Sequence, residues 1–133
     1  MSIIGLYSGD DGQSHLVELQ IVGNGPPLDQ PLPCGGWRPF QCAPGARSPL
    51  HPTPVAGVTF MLAGCMEISV GGGTRRHVAL RCGDMLVVID TRGAGHATAI
   101  TGDEPLRVAG VSFAAGDWPR VRDAFTGWPA NLV

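Results

Sequence analysis

Lysine is absent from the chain, and all nine basic residues are arginine. Schiff-base chemistry and pyridoxal cofactors need a lysine amine, so both are excluded. Basic runs are absent too, and no arginine cluster flanks an apolar face. With a net charge of −2, the chain lacks the electrostatic footprint of a nucleic-acid or membrane-surface binder, and neither partner is expected. No apolar stretch is long enough to span a bilayer. The opening MSIIGLYSGDDG lacks the basic and apolar regions of a signal peptide, so a cytoplasmic location is expected. The four cysteines, Cys34, Cys42, Cys65 and Cys82, show no C-x-x-C spacing. That argues against zinc-ribbon and thioredoxin sites and for reduced thiols packed as small hydrophobes. There is no P-loop and no Ser-centred nucleophile elbow, and the GNG at residues 23–25 is too short for a dinucleotide fingerprint.

What is present is a globular balance of 44% hydrophobic residues in 133, enough for one domain spanning residues 1–133. Twenty glycines and twelve prolines punctuate it and leave little room for long helices. The densest such stretch, Gly23 to Gly36, reads as a long surface connection. Short strands separated by turn residues are predicted at His15–Val22, Trp37–Cys42, Val58–Ala63, Met66–Val70, Arg76–Leu80, Met85–Ile89, His96–Ile100 and Leu106–Phe113. Gly102 to Pro105 reads as a hairpin turn. Evenly spaced short strands argue for an all-β sandwich or barrel, with its core at about residues 37–114 and N-terminal strands and connection at 1–36. One short helix is predicted within residues 117–127, with Asp117 as N-cap and Pro119 in the first turn.

Two stretches carry a family resemblance. In the first, Gly45 is followed by five residues and His51, and Gly64 closes the segment; Thr53 and Gly57 stand at two intermediate positions. The second reads GDMLVVIDTRGAGHAT, from Gly83-Asp84 through His96. Together these resemble the paired motifs of the cupin superfamily, over roughly residues 5–114. The HPTP at His51–Pro54, the GDDGQSH at Gly9–His15 and the Asp-Thr-x-Gly-x-Gly-His segment are similar to a subgroup of small conserved-barrel cupins. The resemblance implies a jelly-roll (double-stranded β-helix) barrel and a homodimer formed through edge strands. It also implies metal-ligand positions, of which this chain keeps only His51 and His96. Thr53 replaces the second His and Gly57 replaces the Glu, which would open space beside His51.

Asp84 follows Gly83 at a turn and reads as structural, its carboxylate bonding nearby backbone. His15 and His77 read as peripheral. If the motifs align, His51 and His96 face the barrel interior, with Asp90 as a neighbouring carboxylate. Two imidazoles are short of the three protein ligands of a mononuclear site, so no cofactor is expected beyond a weak divalent ion on His51 and His96. The chemistry most available is proton transfer, with His51, Asp90 and His96 as catalytic groups: Asp90 or His51 as base, His96 as acid or donor. An isomerase, cyclase or lyase is the expected class. The walls are expected from Trp37, Phe60, Leu62, Met85, Val87 and Phe113, with Arg92 available to an anion, suiting a small flat organic ligand. The alternatives are a metal-dependent, oxygenase-like cupin with a nonstandard third ligand (from Asp90, His15, His77 or a thiol) and a non-catalytic binding protein.

Overall fold

Glycine and proline spacing breaks the chain into eleven short strands and one helix in the computed structural model, which describes residues 1–23 and 31–132. Residues 24–30 of the Gly/Pro-rich connection lie outside the described residues. The strands are β1 (Ile3–Ser8), β2 (Ser14–Ile21), β3 (Gly36–Cys42), β4 (Arg47–His51), β5 (Gly57–Ala63) and β6 (Cys65–Val70). They continue as β7 (His77–Arg81), β8 (Met85–Ile89), β9 (His96–Thr101), β10 (Leu106–Ser112) and β11 (Phe125–Thr126). The larger sheet runs β11-β2-β1-β8-β5-β10-β3 and the smaller β4-β9-β6-β7. Strands β3 to β10 alone form the facing quartets β8-β5-β10-β3 and β4-β9-β6-β7. That is the strand order of an eight-stranded jelly roll. β1 and β2 extend it beside β8, with β1 parallel to β8.

Gly64 marks a corner where the chain leaves one sheet for the other. Its φ is +80°, and a Cβ there would press on the Pro105 carbonyl. Gly102 to Pro105 makes a second such corner. It joins β9 to β10 in opposite sheets, so it is not the hairpin turn expected from its residues. Asp84 acts structurally, as expected: its carboxylate accepts from the Ser2 and Arg81 amides, each at 2.8 Å.

Two cores flank the larger sheet. Between the sheets lie Ile4, Leu6, Met61, Leu86, Val88 and Val108 from one side and Met66, Ile68, Leu80 and Ile100 from the other. On the outer face, Ile3, Leu19, Val87, Phe113 and Val121 pack with Met85, Ile89 and Trp118. The inward phase of β8 is therefore Leu86 and Val88, not Met85 and Val87. A strand apolar on both faces gives no alternation to read. In β5 the inward residue is Met61, while Phe60 and Leu62 are exposed.

The C-terminal helix is shorter than expected. It is α1 (Trp118–Asp123), preceded by a 3-10 turn at Ala115–Asp117. Asp117 holds the N-cap position without a side-chain bond to the helix. The chain then pairs Phe125 and Thr126 with Ile21 and Gln20, because edge strand β2 offers free backbone groups. Among the described residues no helix is long and apolar enough to cross a membrane.

At the β1–β2 turn, His15 Nε2 lies 3.0 Å from both oxygens of Asp11 and its ring stacks on Tyr7 at 5.3 Å. The His15 hydrogen bond, with help from the Gln13 amide, holds the Asp11 carboxyl below its ordinary range. His77 is exposed, 3.7 Å from Glu67.

Candidate active site

Four elements bring the site together: Ser14 opens β2, His51 ends β4, His96 opens β9, and Asp90 follows β8. Asp90 continues the inward phase of Leu86 and Val88 and is fully buried. Its Oδ2 accepts from Ser14 Oγ at 2.8 Å and lies 2.7 Å from His96 Nδ1. Ser14 is fully buried and His96 nearly so. A buried carboxylate is costly without hydrogen bonds. Here Oδ2 has two partners, while Oδ1 is buried with none. The Asp90 carbonyl also accepts from the Thr53 amide at 3.0 Å, tying this segment to the loop after His51.

His51 and His96 are cross-strand partners, with ring centroids 5.1 Å apart and planes at 44°. A bulge makes this pairing. Between Ser48 and His51 the register with β9 shifts by one residue, which turns His51, rather than exposed Leu50, toward His96. Nδ1 of His51 lies 2.8 Å from the Pro49 carbonyl and 3.3 Å from Ser48 Oγ. A carbonyl can only accept, so Nδ1 of His51 carries the proton. Likewise, the Asp90 carboxylate accepts a hydrogen bond from Nδ1–H of His96. In its neutral form each ring then keeps its lone pair at Nε2. Gly95 makes the close approach possible: its φ is +78°, and a Cβ there would overlap the His51 carbonyl group and the Pro52 nitrogen.

The structure thus brings His51, Asp90 and His96 together and adds Ser14, which sequence reasoning missed. Its only signal was the GDDGQSH stretch; nothing in a serine marks it as buried. The expected wall residues disperse. Met85 and Val87 belong to the outer core. Phe60 and Leu62 are exposed, and Trp37 is 71% exposed. Trp37 does line a cavity of about 610 Å³ at the barrel mouth, with Arg38, Phe40, Thr59, Val88 and Ser112. That cavity reaches Thr53, two positions past His51, and Val88, two before Asp90; neither imidazole is among its lining residues. Arg92 and Phe113 line a different cavity. Gly57 lines the barrel-mouth cavity, whose lining residues do not include His51. It pairs with Ser112 and Val88 in the larger sheet, and a Cβ there would meet the Val111 carbonyl oxygen at 2.5 Å.

The donor set does not fit the mononuclear metal centre that cupin motifs imply. Two imidazole Nε2 atoms are available, Thr53 and Gly57 occupy the other ligand positions, and Asp90 Oδ2 is engaged by Ser14 and His96. Among the described residues no group of three His, Cys, Asp or Glu side chains could hold a metal ion.

No family model and no curated protein matches the sequence. Among solved structures, the chain is similar to a cupin 2 conserved barrel domain protein from Salinispora arenicola, at 18% identity and a TM-score of 0.45, covering 80% of this chain and 83% of that one. It is also similar to a cupin-like protein from Thermotoga maritima, at 16% identity and a TM-score of 0.46, covering 86% and 80%. Drosophila melanogaster CENP-C, in its complex with CAL1, is similar at 14% identity and a TM-score of 0.46, covering 83% and 76%. By its own strand order, independent of these distant likenesses, the chain is a jelly-roll barrel.

Proposed function

We propose that this barrel is a metal-independent enzyme that moves a proton on a small organic molecule held at the barrel mouth, in an isomerisation, cyclisation or elimination. The observation that carries the reading is the buried Ser14–Asp90–His96 relay, which engages Nδ1 of His96 and leaves its Nε2 without a protein partner, next to His51. Nε2 of His96 takes a proton from a carbon acid and returns that same proton to a second position of the substrate, while Nε2 of His51 accepts a hydrogen bond from the substrate. Asp90, behind His96 and away from the substrate, is a positioning residue and not the base. An imidazole is suited to both halves of such a transfer near neutral pH.

The test is deuterium incorporation from D2O into a panel of small keto acids, enones and hydroxy acids. His96→Ala and His51→Ala should each slow exchange of the accepted compound by about a hundredfold or more. Full activity in the double variant would end the reading. Thermal stabilisation by a compound that never exchanges would instead make this a binding barrel.

The same reading includes a homodimer. Edge strand β3 is exposed along almost its whole length, and exposed Trp37, Phe60 and Leu62 lie on strands of that same end of the sheet. Sedimentation should show a dimer at micromolar concentration; a monomer throughout would remove this part of the proposal.

A further inference from the structure

A second cavity, of about 500 Å³, lies on the outer side of the larger sheet, beneath the C-terminal helix. Its walls include Tyr7 of β1, Phe113 just past β10, and Trp118 of α1. Phe113 and Trp118 stack on each other at 6.2 Å with planes 14° apart, so two aromatic rings border the cavity. Trp118 is held in turn by edge contact with Trp128 at 5.3 Å. The floor is the end of β8 and the segment after it: Ile89, Thr91 and Arg92 line this cavity, while Asp90 between them points the other way, to His96. Strand alternation divides that segment between two sites. The loop residues Val55 and Ala56 line both cavities and separate them, pinned by the hydrogen bond from the Phe113 amide to the Ala56 carbonyl at 3.2 Å.

The chemistry of this cavity differs from that of the barrel. Arg92 is the cation among its lining residues, and no acid lines it. The Arg92 backbone is fixed: its amide and carbonyl exchange hydrogen bonds with Ser8 Oγ at 3.1 and 2.9 Å. Its guanidinium pairs with no acidic side chain among the described residues. A fixed backbone with a free guanidinium beside stacked aromatic rings suits a ligand with one flat apolar end and one planar negative end. One cation matches one negative charge, and guanidinium meets carboxylate in a two-pronged pair. We propose that this second cavity binds a small aromatic monocarboxylate, its ring against the Phe113 and Trp118 side chains and its carboxylate on Arg92. The site is independent of the proton-transfer reading: it needs neither imidazole.

The experiment is a titration of isotope-labelled protein with benzoate and with benzamide, its uncharged counterpart, followed by NMR. Benzoate should shift the amides of residues 89–92 and 113–118 and the Trp118 indole signal, and should bind about tenfold more tightly than benzamide. Arg92 is exposed, so Arg92→Gln should keep the amide spectrum of the fold and abolish that preference. Shifts confined to the barrel-mouth strands β3 and β10 would overturn the assignment. So would no shift at millimolar benzoate, or an unchanged preference in Arg92→Gln.

Discussion

Gly95→Ala is expected to destabilise the protein by about 3 kcal/mol or more, with loss of the His51–His96 pairing. Two physical terms act at once. The residue sits at φ +78°, a left-handed conformation that costs a residue with a Cβ roughly 1–2 kcal/mol. The new methyl would also overlap the His51 carbonyl group and the Pro52 nitrogen. These are backbone atoms and cannot rotate away, so overpacking adds roughly 1–3 kcal/mol. Gly45 supplies the control. Its φ is +83°, but a Cβ there meets nothing within 4 Å. Gly45→Ala should therefore cost only the conformational term. Urea unfolding of both variants separates the two effects. Equal costs would mean that β9 does not pack against the end of β4 as described.

Asp90→Asn is expected to reduce the catalysed exchange by about 10² to 10⁴-fold with little change in fold. An amide fills the volume of a carboxylate, so the buried site stays packed. Its NH₂ group can face His96 Nδ1 and then donates where the carboxylate accepted. That favours the opposite His96 tautomer, with the proton on Nε2, and the base is lost without moving the ring. Ser14→Ala should act more weakly, because it removes one of the two partners of Asp90 Oδ2 and leaves the His96 bond in place. A fall in Asp90→Asn no larger than in Ser14→Ala would make Asp90 an ordinary buried polar residue.

The barrel was legible because its punctuation is chemical. Gly64 and the Gly83-Asp84 pair fall at turns whose geometry needs those residues, and eight predicted strands lie within a residue or so of their observed limits. The spacing from Gly45 to His51 and from Gly83 to His96 located both imidazoles. What was not legible is the phase of strands buried on both faces. β8 reads MLVVI throughout, so nothing in it distinguishes Val87 in the outer core from Val88 in the barrel. β4 was missed because its bulge breaks alternation, yet that bulge is what orients His51. The helix was overextended because its apolar residues serve the outer core and a short strand instead of a longer helical face. Arg92 and Phe113 were assigned to the barrel pocket because both are close in sequence to its strands. Past the ends of β8 and β10 the chain turns to the outer face, where the C-terminal helix covers it.

The relay rests on the protonation of one ring, and nitrogen NMR of the His96 imidazole reads it directly. The expected result is a proton on Nδ1, hydrogen-bonded to the Asp90 carboxylate, and an unprotonated Nε2 in the wild-type protein, reversed in Asp90→Asn. A wild-type His96 with its proton on Nε2, or a tautomer unchanged by Asp90→Asn, would contradict it.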